Sequence, residues 1–97
     1  MKVTGTDGKE YTIEPRADLD GAYLRGANLR GAKLRWAYLR GANLSEARLR
    51  GTDLSRARLR EANLSNANLE WANLSGAVWN GETVFPKGFE IPDELQG

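Results

Sequence analysis

The sequence contains no cysteine, so neither a disulfide nor a reactive thiolate is available to the protein. Histidine is also absent, which removes the commonest general base and the commonest metal ligand. No stretch is apolar enough to span a bilayer, and Met1–Gly5 lacks the apolar run of a secretory signal. These absences predict a protein without a membrane span, located in the cytoplasm, and they weigh against an enzyme.

The charged residues form none of the arrangements that catalysis or metal binding requires. There is no glycine-rich phosphate loop ending in Lys-Ser or Lys-Thr, and no carboxylate pair in apolar surroundings. Asp18, Asp20 and Asp53 are not expected to converge, so no metal site is predicted. We therefore expect no catalytic residues, no metal and no cofactor.

What the sequence does contain is a leucine at every fifth position, with a small residue two positions before each one. That small residue is alanine throughout, apart from Thr52. Internal repetition of this kind is typical of solenoids. We predict a core formed by Leu19, Leu24, Leu29, Leu34, Leu39, Leu44, Leu49, Leu54, Leu59, Leu64, Leu69 and Leu74, with Trp79 next in the same phase.

A period of five fits neither regular element. On an α-helix it rotates successive leucines by about 140°, and on a flat strand it alternates them between the two faces. An alanine and a leucine two positions apart do share one face of an extended segment. The chain is therefore predicted to run extended, turn and repeat, with leucine inside. Glycine tolerates the unusual dihedrals of a corner, so the corners are predicted at Gly21, Gly26, Gly31, Gly41, Gly51, Gly76 and Gly81.

Units such as Ala-Asn-Leu-Ser-Glu and Ala-Asp-Leu-Asp-Gly resemble the A-(D/N)-L-x-x units of pentapeptide-repeat proteins, over about two-thirds of the chain. The resemblance implies an all-β fold: a right-handed quadrilateral β-helix with four pentapeptides per coil and about three coils. It also implies that the leucine and the preceding alanine point inward. Lys33, Arg48 and Arg58 depart from the pattern just before a leucine, where the side chain is expected to face solvent.

We predict a single domain in three parts, namely residues 1–15, 16–81 and 82–97. In the first part, Asp7-Gly8 separates two short extended stretches, which predicts a hairpin turn, and Pro15 ends the segment. A cap over the first coil is favoured over a binding hairpin, because solenoids need their exposed ends covered.

The last part is predicted to close the other end of the coil. An indole is too large for an interior that leucine fills, so Trp79 is expected to mark the last rung. The apolar residues of the tail would cover it, and the alternative is a homodimer formed through this end. The residues concerned are Phe85, Phe89, Ile91 and Leu95.

Charge is unevenly distributed. Residues 16–80 carry eleven basic and six acidic residues, a net +5, whereas the flanks carry −4. If residues twenty apart stack, one candidate surface consists of Tyr38, Arg40, Arg58 and Arg60, and a second of Arg30, Arg48 and Arg50.

Such clusters can hold phosphates or an acidic partner. The favoured alternative is a solvated repeat surface that Glu61 and Glu46 partly neutralise. Trp36 and Trp71 occupy the last position of their units, where they are expected near the outside, either as contact residues or packed against the end caps.

The sequence thus predicts a non-enzymatic structural scaffold that docks an unknown protein partner. The resemblance also raises a second role, since some pentapeptide-repeat proteins mimic duplex DNA and modulate type II topoisomerases. Mimicry requires a continuous acidic face, which the basic repeat lacks. Weak binding of nucleic acid or another polyanion through the arginine clusters is a third, disfavoured possibility.

Overall fold

The computed structural model describes residues 1–91 of the 97-residue chain. Its two regular strands are β1 (Lys2–Thr4) and β2 (Glu10–Thr12), which pair antiparallel with Val3 opposite Tyr11. No helix among the described residues is long and apolar enough to cross a membrane. The tail residue Leu95 lies outside the described residues.

From Asp18 to Arg58, each residue that precedes a leucine pairs in parallel with the residue twenty positions later. The Leu19 N–H donates to the Tyr38 carbonyl at 2.7 Å, and the Tyr38 N–H donates to the Ala17 carbonyl at 2.9 Å. One coil therefore holds twenty residues, or four pentapeptides, and this is a β-helix. We number its faces by their bridge residues: first (Asp18, Tyr38, Arg58, Val78), second (Tyr23, Asn43, Asn63, Val84), third (Asn28, Arg48, Asn68) and fourth (Lys33, Asp53, Asn73).

Leucine fills the interior of the coil. The nine leucines from Leu24 to Leu64 are fully buried, and those of the end rungs are at most 7% exposed. Among the alanines that precede leucines, Ala27 and Ala72 are only partly buried. Both belong to an end rung, where no further coil lies over them.

The corners fall two residues after each leucine, in the left-handed backbone region. Glycine occupies six of them with φ between 67° and 70°, whereas Gly81 is not in this conformation. The N–H of the next alanine closes each turn, as when Ala22 donates to the Leu19 carbonyl at 3.0 Å. Side chains other than glycine occupy the remaining corners, at Arg16, Trp36, Glu46, Arg56, Glu61, Asn66 and Trp71.

The turn at Gly81 differs because the chain contains an extra residue there. Val84 pairs with Asn63, twenty-one positions earlier, whereas Val78 still pairs with Arg58 at a separation of twenty. The ladder of bridges thus continues one unit beyond Trp79. Because of this extra residue, the corner predicted at Gly81 from the five-residue repeat does not form there.

The N-terminal hairpin lies against the first coil. The Thr6 N–H donates to the Tyr23 carbonyl at 3.0 Å, where a preceding rung would otherwise pair. Ile13 is buried in the same core as the leucines, and Tyr11 packs against it partly buried. The turn places Gly8 at φ 81°.

At the opposite end, aromatic rings replace leucine. Trp79, predicted as the next core residue, is only partly buried and meets Phe85 edge-on, with ring centroids 5.6 Å apart. Phe85 stacks on Phe89 at 5.5 Å. Phe85, Phe89 and Ile91 are partly buried and pack against the leucine core.

Thr52, the one departure from alanine, is fully buried and hydrogen-bonded. Its hydroxyl donates to the Leu29 carbonyl at 2.6 Å, and that carbonyl also accepts the Ala32 N–H at 3.0 Å. Among the described residues, no buried side-chain nitrogen or oxygen lacks a partner.

Replacing Thr52 by valine keeps the shape but removes this donor, while the Leu29 carbonyl retains its backbone partner. We expect Thr52→Val to lower the free energy of unfolding by about 1 kcal/mol, measured by denaturant titration. The matched control is Thr12→Val on the exposed side of β2. An equal effect of the two substitutions would contradict the assigned hydrogen bond.

Candidate functional site

One corner of the coil stacks an aromatic ring between two cations. Arg16, Trp36 and Arg56 follow one another at intervals of twenty residues, so they occupy the same corner in successive rungs. The guanidinium carbons of Arg16 and Arg56 lie 5.7 and 5.1 Å from the Trp36 ring centroid. Contacts of this kind stabilise by about 0.5–2 kcal/mol each, so the three side chains hold one another in place.

The adjacent column of the first face repeats the arrangement. The Arg58 guanidinium carbon lies 4.9 Å from the Tyr38 ring centroid, and Tyr38 is 40% exposed. Arg56, Arg58 and Arg60 make no ion pair with any of the residues that the structure describes. Three outward positions of a single rung therefore present cations that no carboxylate neutralises.

Arg40, in the rung below, is neutralised. Its Nε and Nη2 donate to the two carboxylate oxygens of Glu61, both at 3.1 Å, and its backbone N–H donates to Asp20 at 2.9 Å. The hydrogen bond and charge of Arg40 lower the pKa of Glu61, and the nearby Arg60 contributes further. Within the first predicted cluster, Arg40 is therefore paired with a carboxylate, as expected for a partly neutralised repeat surface. Arg58 and Arg60 are not paired in this way.

These side chains line a groove of about 540 Å³ along the first face. Four arginines face one aspartate in it, beside aromatic rings and Val78, which is 37% exposed. The groove therefore combines positive charge with apolar surface. Its lining consists of Asp20, Trp36, Tyr38, Arg40, Arg56, Arg58, Arg60, Gly76 and Val78.

The second predicted cluster, on the third face, is less uniform. Arg50 forms an ion pair with Glu70 at 3.4 Å, and the Arg30 Nε donates to the side-chain Oδ1 of Asn28 at 3.1 Å. Arg48 forms no ion pair among the described residues, and no ring stacks on any of these arginines there.

Glu46, expected to pair locally and partly neutralise the repeat surface, accepts from the Arg25 Nε at 2.8 Å, and Arg25 belongs to neither predicted cluster. Arg40 and Glu61 are related in the same way, since in both pairs the residue after a leucine reaches the corner residue twenty-one positions later, whereas Arg50 pairs with Glu70 at a separation of twenty. Residue 81 is the corresponding position for Arg60, and it is a glycine without a side chain. Residue 80, at the other separation, is an uncharged asparagine, so neither position offers Arg60 a carboxylate.

Sequence reasoning missed Arg16 and Arg56 and did not connect Trp36 to them. The signal was present, since a spacing of twenty places all three in one column. Trp71 differs: it is 78% exposed at a corner above Gly51, which offers nothing to stack on. The two tryptophans therefore do not share a patch.

Two further features of the described residues bear on the site. No group of acidic side chains among residues 1–91 could hold a metal ion. A second, open cleft of about 510 Å³ separates the last rung of the third face, residues 66–70, from the tail, residues 86–89.

The comparisons with known proteins agree on one family. The model of pentapeptide repeats matches residues 16–45 and 42–78, with eight copies. A search of the curated proteins found no match. Fifteen solved chains match, among them a pentapeptide-repeat protein from the cyanobacterium Cyanothece 51142, with 37% identity over 72% of this chain and a TM-score of 0.60.

A pentapeptide-repeat protein from the thylakoid lumen of Arabidopsis thaliana is 32% identical over 82% of this chain, with a TM-score of 0.53. The chain spans 44% of the cyanobacterial structure and 61% of the plant structure. It is thus shorter than either of these relatives.

Gly76 is the last member of the stacked corner. A Cβ built there would lie 3.0 Å from the Arg56 Cγ, whereas a Cβ at Gly51 would meet nothing within 4 Å. The two glycines have nearly equal φ, 70° and 68°. They therefore form a matched pair for testing the stack.

We expect Gly76→Ala to lower the free energy of unfolding more than Gly51→Ala, because both strain the backbone but only the first displaces Arg56. The Trp36 indole N–H resonance should shift in Gly76→Ala alone, as measured by NMR. Equal losses of stability and an unmoved Trp36 resonance would contradict the packing of Arg56 over Gly76.

Two carboxylates give the fold an acid-sensitive component. The Arg40 contact lowers the pKa of Glu61, and the Ser55 hydroxyl and N–H, at 2.6 and 3.0 Å, lower the pKa of Asp53. Because both pKa values are depressed on folding, their contribution to stability is fully present above the ordinary values of 4.5 and 3.8. It is lost as the pH falls through the lower folded values.

Glu61→Gln should therefore lower the melting temperature at neutral pH and flatten its dependence on pH. The two plots of melting temperature against pH should converge once the pH falls below the depressed folded pKa of Glu61, where the wild-type carboxylate is also protonated. Thermal unfolding followed by circular dichroism across this range provides the measurement. A difference in melting temperature between the wild-type protein and Glu61→Gln that stays constant with pH would exclude the ion pair between Arg40 and Glu61 as its cause.

Proposed function

Because the chain belongs to the pentapeptide-repeat family, we propose that it is a non-enzymatic scaffold that docks a protein partner on the first face of its β-helix. The observation that carries the proposal is the groove beside Arg56, Arg58 and Arg60, whose charges no carboxylate of the described chain neutralises. Arginine and aromatic side chains are the types that contribute most to protein interfaces.

The rigidity of the groove supports this role. Binding through long side chains ordinarily costs about 0.5–1.5 kcal/mol for each one that becomes ordered. Trp36 already holds Arg56, and Tyr38 already holds Arg58, so much of that cost is met on folding. The leucine core and the ladder of backbone bonds fix the rungs that carry them.

The two ends of the coil support a scaffold whose ends are covered by caps. We propose that the hairpin of residues 1–15 and the tail from residue 82 act as caps on a right-handed coil of about three turns. Phe85, Phe89 and Ile91 turn toward the leucine core, which favours capping over a homodimer through this end. The basic character of the first face opposes mimicry of duplex DNA.

A photocrosslinking amino acid at position 78 should capture a discrete protein partner in extract of the source cells, because Val78 lines the groove. The same amino acid at position 73, exposed on the fourth face, should capture none. Arg58→Glu should abolish the product formed at position 78. Absence of a product, or equal products at both positions, would refute docking on the first face.

A further inference from the structure

We propose that the groove on the first face binds an extended acidic peptide, whose alternate carboxylate side chains contact Arg56, Arg58 and Arg60. The inference rests on the proposed scaffold function and names the chemistry of the partner. Three aspects of the groove carry it: the spacing of the arginines, their stacking on aromatic rings, and the apolar surface beside them.

The spacing suits an extended chain. Arg58 and Arg60 flank the buried Leu59 in one rung, and two residues of extended chain span roughly 6.5 Å. Side chains on one face of an extended peptide have the same period. A peptide lying along the rung can therefore place one carboxylate on Arg58 and one on Arg60 without bending, while the side chain of Arg56 reaches the same groove from the adjacent corner.

The stacking prepares the arginines for carboxylates. A guanidinium that lies on an aromatic ring keeps its donors at the edge of its plane, in the geometry that a carboxylate accepts. Arg56 lies on Trp36 and Arg58 on Tyr38. By contrast, the guanidinium of Arg40 is already bonded to Glu61 and is not available.

The surroundings favour a peptide over duplex nucleic acid. The unpaired arginines that line the groove lie in one rung, whereas a duplex presents phosphates over a wider surface. Asp20 lines the groove and Glu61 lies at its edge, so a broad polyanion would also meet carboxylates. Trp36, Tyr38 and Val78 offer apolar contacts that a peptide can use and a phosphate backbone cannot.

The test uses the full chain and three fluorescein-labelled octapeptides, followed by fluorescence anisotropy at physiological salt. In the first peptide glutamate alternates with threonine, in the second the same residues are arranged in two blocks, and in the third glutamine replaces glutamate. The alternating peptide should bind about tenfold more tightly than the blocked one, since only its carboxylates match the rung. The glutamine peptide should not bind.

Two charge reversals of equal size provide the matched control. Arg58→Glu should abolish binding of the alternating peptide, whereas Arg48→Glu, at the equivalent position before a leucine on the third face, should leave it unchanged. Equal affinity for the alternating and blocked peptides, or equal loss in the two variants, would reduce the effect to nonspecific attraction and overturn the proposal. Tighter binding of a duplex oligonucleotide than of the peptide would also overturn it.

The outcome is separable from that of the scaffold proposal. A crosslinked partner at position 78 without peptide binding would leave the scaffold standing and remove the acidic-peptide assignment. Peptide binding without a crosslinked partner would leave the groove as an anion site and remove the scaffold role.

Discussion

The hydrogen bonds between each rung and the next are the constraint on which the rest of the structure depends. They tie a residue to another one twenty positions later, so every side chain has a fixed neighbour above and below. Leucine packs above leucine in the interior, and arginine stacks above tryptophan on the surface in the same register. The buried leucine core and the candidate site therefore both result from the twenty-residue spacing between successive rungs.

Much of the fold can be predicted from the sequence, because the spacing of the repeat determines which residues lie above one another in successive rungs. A strict period of five excludes helix and flat strand, and the β-helix is the architecture that the comparisons and the bridges support. The turn after Trp79 was not predictable from the period. Its extra residue preserves the pairing of Val84 with Asn63 but moves the corner away from Gly81, and nothing in the repeat signals that adjustment.

The candidate site was predictable only in part, for a geometric reason. Stacking at intervals of twenty brings Arg58 over Tyr38, but two of the ion pairs between rungs, those of Glu46 and Glu61, form diagonally at intervals of twenty-one. Sequence reasoning used the first interval alone, so it grouped the arginines by column and expected Glu61 and Glu46 to pair locally without identifying the partner of either. Whether an arginine has a diagonal ion-pair partner depends on the residue at the facing corner of the next rung. For Arg60 the residue twenty-one positions later is Gly81, which has no side chain.

The corners then explain where the binding chemistry lies. A left-handed backbone costs an L-residue about 1–2 kcal/mol relative to its ordinary conformation, and glycine avoids that cost. Yet seven corners carry other residues, among them Arg16, Trp36 and Arg56 in the cation–π stack and Glu46 and Glu61 in ion pairs.

For these five, side-chain contacts between rungs offset the backbone cost. Asn66 tolerates the left-handed region better than most residues do. That leaves Trp71, for which the structure records no hydrogen bond, ion pair or ring contact among the described residues. Strain that the fold does not offset is concentrated at functional positions in many proteins, and here it falls on the most exposed aromatic ring of the described chain.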